Sequence, residues 1–182
     1  MNIHEIIKSR YSPVVFSSIK IDDEKLLSLF EAARWAPSSF NEQPWRFIQG
    51  KKNEDDNYDK LLKSLVDGNR YWAQHAPVLI LVVAKTKFSH NNSTNQSALY
   101  DTGLAVGNLL TQATDQGLFV HQMGGFNKEL VKKDFEIPEY FEPIAIMAVG
   151  YKGNLEDFPV DIQQREKRIR TRKPLESFFK MS

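Results

Sequence analysis

The sequence predicts a single domain of alternating helices and strands, either a three-layer α/β protein or an α+β sheet protein. Apolar residues recur at helical spacing in several segments. The apolar, β-branched run over 78–84, bounded by Pro77 and Lys85, is typical of a strand buried on both faces. With 182 residues, 41% of them hydrophobic, the chain is long enough for one sizeable core and short for two domains. We therefore expect one domain over residues 1–182.

The first part of the chain predicts two helices that lead into a strand. Pro13 disfavours helical backbone at the residue before it, so the first helix should end ahead of Ser12. Asp22 is a suitable N-cap for the second helix, which should end near Ala36. The predicted elements are, in order, a helix around Ile3, Ile6 and Ile7, a helix over 22–36, a strand over 45–48 and a weakly structured, charge-rich segment over 51–59.

The rest of the chain predicts three more helices and three more strands. Gly103 and Gly107 belong to the longest helix, where small residues permit close contact with another helix, either centrally or at a dimer interface. The polar segment over 85–97 buries too little apolar surface to order itself alone and is a candidate mobile lid. The predicted elements are, in order, a helix over 61–66, a central strand over 78–84, the loop over 85–97, a helix over 98–116, a strand over 118–121, a turn over 123–126, a helix from Asn127 to Phe135 and a strand over 144–149.

Charge and composition exclude several classes of function. A net charge of +1 gives no overall attraction to nucleic acid or anionic membranes. The absence of cysteine excludes disulfides and thiolate catalysis, and the four histidines are dispersed, so we expect no metal site. No Walker, Gly-x-Gly-x-x-Gly or Gly-x-Ser-x-Gly motif occurs. Without a signal-peptide pattern or a membrane-spanning apolar run, we expect a cytoplasmic protein with no nucleic-acid or membrane partner.

The connection over 36–45 is the most informative segment of the chain. Pro37 and Pro44 each fix a φ angle and remove a backbone donor, so the segment between them is short and stiff. Its hydroxyls and carboxamides supply donors and acceptors that suit the edge of a planar heterocycle. A helix terminus followed by an Asx-type turn is the alternative interpretation. The polar side chains concerned are Ser38, Ser39, Asn41 and Gln43.

Three other clusters combine residue types that bind ligands. The Arg-Tyr-Ser triplet at 10–12 places a guanidinium beside two hydroxyls, as in a phosphate grip or simply at a helix end on the surface. The turn over 122–125 lets backbone N–H groups approach a flat ligand, or only joins a strand to a helix. The segment over 165–173 sets six basic residues against Glu166 and suits a phosphate, a nucleic acid or water. Without interleaved aromatic residues, the nucleic-acid interpretation is the weakest.

Taken together and in this order, these segments resemble the FMN-dependent nitroreductase family. Its members begin with a helix ending in Arg-x-Ser and continue through Ala-Arg-x-Ala-Pro-Ser-x-x-Asn-x-Gln-Pro-Trp. They close with a Gly-Gly-Phe turn and an Arg-x-Arg-Lys-Pro-Leu tail. The corresponding residues here are 10–12, 33–45, 124–126 and 170–175. The match runs nearly end to end, and the motif over 33–45 is its most specific part.

The resemblance implies an α+β fold, a three-layer α/β/α sandwich with a mostly antiparallel central sheet. It also implies a homodimer with two FMN molecules at the subunit interface. The implied FMN-binding residues are Arg10, Tyr11, Ser12, Arg170, Arg172 and Lys173 around the phosphate and ribityl chain, Pro37, Ser38, Ser39 and Asn41 from the other subunit with Gln43 in support, and Asn69, Met123, Gly124 and Gly125 at the flavin ring.

The resemblance further implies an oxidoreductase in which FMN carries the chemistry and no side chain is a catalytic acid or base. NADH or NADPH would give hydride to flavin N5, and a nitroaromatic, quinone or similar small acceptor would take it by a ping-pong mechanism. Arg10 or a tail arginine is expected to stabilise the reduced flavin. The alternatives are a flavin reductase, a dehalogenating or enoate reductase of the same family, and a non-catalytic flavin-binding protein. Candidate residues to line the flavin are Phe40, Tyr71, Trp72, Phe88 and Phe126.

Overall fold

Four antiparallel strands form one sheet with helices packed on both of its faces. This architecture is seen in a computed structural model that describes residues 2–179. The strands are β1 (Trp45–Lys51), β2 (Val78–Lys85), β3 (Phe119–Met123) and β4 (Phe141–Gly150), in the spatial order β1-β2-β4-β3. The helices are α1 (Glu5–Ser9), α2 (Asp23–Arg34), α3 (Asp56–Ser64), α4 (Asp67–Ala73), α5 (Ala98–Asp115), α6 (Lys128–Asp134) and α7 (Val160–Glu166). The predicted α+β class and antiparallel sheet are confirmed.

The alternation of side chains along β2 divides the interior into two cores. Leu79 and Leu81 pack in a core with residues of α3, α4, α6 and α7. Ile80 and Val82 pack in a second core with residues of α2 and α5. We call these two sides of the sheet the α4 face and the α5 face. Because β2 is an interior strand covered on both faces, its run is apolar throughout, as predicted.

The segment over 51–59 is more ordered than its composition indicates. The Asp55 carboxylate caps α3 by accepting the N–H of Tyr58 at 3.1 Å. The Tyr58 side chain is buried, and its hydroxyl donates to the carbonyl oxygen of Ala76 at 2.7 Å. The prediction of weak structure is therefore wrong for the second half of this segment, where a cap and a buried ring outweigh the local charge.

Other element boundaries also differ from the predicted ones. Helices α4 and α7 fall outside the predicted elements, because each has only 7 residues and few buried side chains. The turn predicted over 123–126 begins one residue later, because Met123 pairs with Ile146 as the last residue of β3. Asn127 caps α6 as predicted, and its Oδ1 accepts the N–H of Leu130 at 3.0 Å.

Two helices carry apolar side chains that the chain does not bury. Ile7 of α1 is 62% exposed, and Leu99 and Tyr100 at the start of α5 are 55% and 72% exposed. A Cβ built on Gly103 or Gly107 would meet nothing within 4 Å. The close helix contact predicted at these glycines is therefore not made within the part of the chain that the structure describes.

Two further properties concern residues 2–179 as a whole. Among them, no group of three or more histidine, cysteine, aspartate or glutamate side chains is placed to hold a metal ion. None of the helices described is long and apolar enough to span a membrane.

Candidate functional site

A cavity of about 420 Å³ lies between the N-terminal segment, β3 and the end of α7. Arginine side chains dominate its wall, and we call it the arginine cavity. Its lining residues are Arg10, Tyr11, Ser12, Val14, His121, Arg165, Glu166, Arg168, Arg170 and Arg172. The structure thus joins the triplet at 10–12 to two of the predicted tail arginines. Lys173 is exposed and lies outside this lining.

Arg10 lies where the positive charge is most crowded. Its Nη1 donates to Ser12 Oγ at 3.3 Å, while the Arg170 guanidinium donates to the backbone carbonyl oxygens of Lys8 and Arg10. Burial, and then the charges of Arg170 and Arg172, lower the pKa of Arg10. Because crowded like charges are relieved when an anion enters, this end of the cavity suits a phosphate.

Glu166 is the one acid among the described residues that line the cavity, and both of its oxygens are occupied. Oε2 accepts the N–H of Val14 at 2.7 Å, and Oε1 accepts the Tyr11 hydroxyl at 3.1 Å. Burial raises the pKa of Tyr11, so its hydroxyl stays protonated and able to donate. Glu166 therefore fixes α7 to the N-terminal segment, and its two oxygens are used by Val14 and Tyr11 rather than by the arginines of the cavity.

His121 of β3 forms the wall of the cavity beside Trp72, with the two ring centroids 4.4 Å apart. Its Nδ1 lies 2.7 Å from the carbonyl oxygen of Pro13, so Nδ1–H is assigned as the donor. Burial lowers the pKa of His121, and the hydrogen bond to Pro13 opposes this only in part. The neutral ring therefore offers its Nε2 as an acceptor for a ligand hydroxyl.

Asn69 of α4 and Gly125 after β3 lie together on the α4 face. Asn69 Nδ2 donates to the carbonyl oxygen of Gly125 at 3.2 Å, and the Val66 N–H donates to the same oxygen at 3.1 Å. A Cβ on Gly125 would come within 2.9 Å of Asn69 Nδ2 and 3.0 Å of a Val66 methyl carbon. Gly124 is exposed, and a Cβ there would meet nothing within 4 Å. Met123 is buried at the end of the strand.

The turn over 37–43 has an unusual backbone. Its φ angles are +53° at Phe40, +52° at Asn41 and +50° at Gln43, all in the left-handed region. Asparagine tolerates this region, whereas it is strained for phenylalanine and glutamine. Such a conformation persists only where surrounding contacts enforce it. Within the turn, Pro37 and Asn41 are exposed while Ser38, Ser39 and Gln43 are half-buried.

Hydrogen bonds hold the turn in this conformation. The Ser39 N–H donates to Oδ2 of Asp101, a buried residue of α5, at 2.9 Å. The Gln43 N–H donates to Ser38 Oγ at 3.0 Å, and Gln43 Nε2 donates to Asn41 Oδ1 at 3.1 Å. The turn is therefore attached to the α5 face by a buried carboxylate.

The loop over 85–97 packs on this turn. The Glu42 carboxylate accepts the N–H and the hydroxyl of Ser89, at 2.9 and 2.6 Å, and pairs with Lys85 Nζ at 3.3 Å. These bonds lower the pKa of Glu42, although its burial alone would raise it. The polar loop is thus ordered by hydrogen bonds to the turn and within itself rather than by an apolar core of its own.

The aromatic residues predicted to line the flavin have different surroundings. Phe40 is 82% exposed, and its ring centroid lies 5.6 Å from that of Phe88 in the loop. Tyr71 is 45% exposed, whereas Trp72 is fully buried. Phe126 is partly buried against the core on the α4 face. Trp72 is therefore a core residue, and Phe40 with Phe88 is the accessible aromatic pair.

The predicted residues fall into two groups on opposite faces of the sheet. The arginine cavity and the Asn69–Gly125 pair lie on the α4 face. The turn over 37–43 follows α2 and is tied to α5, on the other face. Within residues 2–179, no hydrogen bond or ion pair joins the turn to the cavity.

Three residues of these groups were not singled out by sequence reasoning. Asp101 lies in the first turn of α5, where an acid is common, and nothing local marks it as the partner of Ser39. His121 is one of the dispersed histidines, and Arg165 is one of six basic residues in its segment. Only the tertiary structure places His121 and Arg165 in the cavity wall and Asp101 against the turn.

The fold and these residues define a class: an α+β protein with an arginine-lined cavity suited to a phosphate-bearing ligand, next to a glycine turn that leaves room for a flat group. The class can be made specific by comparison with known sequences. The chain belongs to the nitroreductase family, whose sequence model matches residues 7–151.

Relatives and solved structures agree with this membership. An uncharacterised 15.4 kDa protein of Mycolicibacterium smegmatis is 33% identical over 138 residues, which cover 72% of this chain and 91% of that protein. A protein of Methanothermobacter thermautotrophicus, provisionally named NADH dehydrogenase/NAD(P)H nitroreductase, is 26% identical over 83% of this chain and 78% of its own length. The crystal structure of an oxidoreductase containing FMN superposes with a TM-score of 0.92 at 31% identity, covering 98% of this chain and 91% of that chain. A nitroreductase family protein from Clostridium difficile 630 gives a TM-score of 0.76 at 29% identity, with 99% and 98% covered.

Proposed function

We propose that the protein is an FMN-dependent oxidoreductase that works as a homodimer and is reduced by NADH or NADPH. It would pass the electrons to a nitroaromatic, a quinone or a similar small acceptor by a ping-pong mechanism. The observation that carries this proposal is the arginine cavity, where the one carboxylate among the described lining residues has both oxygens already bonded. The similarity of the chain to an oxidoreductase that contains FMN supports the choice of cofactor.

The residues in the cavity fit the phosphate end of FMN. Arg10 and Arg172 each use Nη1 in the bonds described and keep further N–H groups that match phosphate oxygens. Arg170 donates to backbone oxygens and adds its charge, which guanidinium groups keep at any physiological pH. The Ser12 hydroxyl and the His121 ring add a donor and an acceptor suited to the ribityl hydroxyls. The donor set thus matches both the charge and the polarity of this end of the cofactor.

The Asn69–Gly125 region fits the ring end of FMN. Gly124 leaves space in which a flat ring can approach the backbone, and the half-buried Asn69 carries an amide suited to the pyrimidine edge. When bound, FMN supplies the hydride chemistry, which side chains alone cannot perform. The protein's contribution is to hold and orient the ring, and to leave one side of it open to nicotinamide and acceptor in turn.

The second half of the site is proposed to come from another copy of the chain. The turn over 37–43 lies on the opposite face, and β1 and β3 are separated by three strand spacings of about 4.8 Å each. The apolar residues Leu99 and Tyr100 and the open glycines of α5 are exposed in one chain and suit a subunit interface. In this arrangement Pro37, Ser38, Ser39 and Asn41 would contact FMN held by the other subunit.

The first test is FMN binding to the purified protein, followed by visible absorbance. Arg10→Gln should raise the Kd for FMN by roughly 10- to 150-fold, because a charge-assisted hydrogen bond contributes about 1.5–3 kcal/mol. Lys63→Gln removes an exposed positive charge from α3, away from the cavity, and serves as the control. A wild-type protein that binds no FMN would overturn the proposal.

The second test separates the possible activities. Anaerobic addition of NADH or NADPH should bleach the bound flavin, and acceptors added in turn should restore its colour. Nitroaromatics, quinones, free flavins, enoates and halogenated substrates distinguish the reductase types of this family. Flavin that binds but is never bleached would instead indicate a non-catalytic flavin-binding protein.

A further inference from the structure

Arg165 differs from the other arginines of the cavity in the direction of its contacts. Its guanidinium carbon lies 5.5 Å from the centroid of the Trp72 ring. Its Nη1 donates to the carbonyl oxygen of Gly68 at 3.3 Å. Arg170, by contrast, donates to backbone oxygens of Lys8 and Arg10. Arg165 therefore contacts α4, while Arg170 contacts the N-terminal segment.

The position of Arg165 is fixed by its neighbours on α7. Ile162 is 2% exposed and belongs to the core on the α4 face. Glu166 is bonded through both oxygens to Val14 and Tyr11. Because α7 is anchored at Ile162 and Glu166, the Arg165 side chain between them is held in place, and it packs on the fully buried Trp72.

The contact with Gly68 brings Arg165 close to the ring end of the proposed FMN site. Asn69 follows Gly68 directly and donates to the carbonyl oxygen of Gly125 at 3.2 Å. Arg165 also lines the same cavity as Arg10. It is thus the arginine of this cavity whose described contacts lead from the phosphate end toward the Asn69–Gly125 pair.

We propose that Arg165 lies beside the pyrimidine end of FMN and favours its reduced form, while Arg10, Arg170 and Arg172 hold the phosphate. Hydride transfer from NAD(P)H adds two electrons and one proton to the flavin, so the ring system gains one negative charge. A cation fixed beside that ring stabilises the added charge, whereas cations at the phosphate contact both redox forms alike. This assignment rests on the proposed function and replaces the sequence-based expectation that Arg10 or a tail arginine has this role.

The experiment compares the affinities of apoprotein for oxidised and for chemically reduced FMN, under anaerobic conditions. The measured quantity is the ratio of the two Kd values, which a mere loss of affinity does not change. Arg165→Gln should reduce the preference for reduced FMN at least tenfold relative to wild type, equal to about 30 mV in a two-electron potential. Arg165→Lys keeps the charge and should restore most of the preference. Arg172→Gln should weaken the binding of oxidised and of reduced FMN by similar factors.

The outcomes separate the two proposals. An Arg165→Gln protein with the wild-type ratio, or with both affinities reduced equally, overturns the role of Arg165 and leaves the FMN proposal standing. A wild-type protein that binds neither form overturns the proposed function itself. Circular dichroism and thermal unfolding of each variant show whether α7 stays packed, and Arg165→Lys provides the comparison if the glutamine variant unfolds.

Discussion

Replacing Asp101 with alanine tests how the turn over 37–43 is held. The Asp101 residue is 4% exposed, and its carboxylate accepts the Ser39 N–H at 2.9 Å. A hydrogen bond to a charged acceptor contributes about 1.5–3 kcal/mol, and left-handed residues such as Phe40 cost about 1–3 kcal/mol each. Asp101→Ala should therefore lower the free energy of unfolding by about 1.5–3 kcal/mol. At about 2–4 °C per kcal/mol for a chain of this size, the melting temperature should fall by roughly 3–12 °C.

The same change should weaken FMN binding. A turn that is no longer held must be ordered when the cofactor binds, and this cost of about 1.5–3 kcal/mol corresponds to roughly 10- to 150-fold in Kd. Titration of apoprotein with FMN, alongside thermal unfolding, measures both effects. Asp101→Asn keeps an acceptor oxygen, so its melting temperature and its Kd for FMN should lie between those of the wild type and of Asp101→Ala. Asp115→Ala removes the same charge from the exposed end of α5 and serves as a control. An Asp101→Ala protein that melts and binds FMN like the Asp115→Ala protein would refute the reasoning.

Three further predictions concern packing, pH and the adjoining loop. Gly50→Ala would place a Cβ 2.3 Å from the backbone nitrogen of Tyr58 and should destabilise the protein by about 1–3 kcal/mol or more. Gly68→Ala adds a Cβ in open space within α4 and should be neutral or stabilising. Equal melting temperatures of the two variants would contradict this. Burial lowers the pKa of His121, so at acidic pH this histidine binds a proton more readily in the unfolded chain than in the folded one. The free energy of unfolding should therefore fall as the pH drops below 6.5, by at most about 1.4 kcal/mol per pH unit from this group. Urea unfolding of His121→Gln should show a shallower pH dependence, and an unchanged slope would show that another group is responsible. Glu42→Gln weakens the bonds to the loop and should speed its cleavage in limited proteolysis, with wild-type rates as the contrary result.

The sequence predicts the fold best where a local signal and the burial of an element agree. The β2 run and the Asn127 cap are examples, because their patterns depend on nearby residues. The start of α3 is harder to predict, since Tyr58 is buried in the core and its hydroxyl bonds to a carbonyl oxygen 18 residues away. Charge density does not exclude a helix there, because a helix can carry charges on its solvent side.

The motifs of the candidate site are visible in the sequence, but their partners are not. Ser39 and Asp101 are 62 residues apart, and Val14 and Glu166 are 152 apart. An aspartate in a first helical turn and a glutamate in a basic segment have ordinary local explanations, so nothing distinguishes them before folding. The role assigned to Arg165 depends likewise on its contact with α4, which no spacing rule predicts.

The separation of the arginine cavity and the turn over 37–43 onto opposite faces has a genetic consequence in the proposed homodimer. A subunit with a damaged cavity still carries a sound turn, and a subunit with a damaged turn still carries a sound cavity. When two such defective chains pair with each other, one of the two sites receives both lesions and the other receives none. Two inactive alleles would therefore complement each other, each restoring what the other lacks.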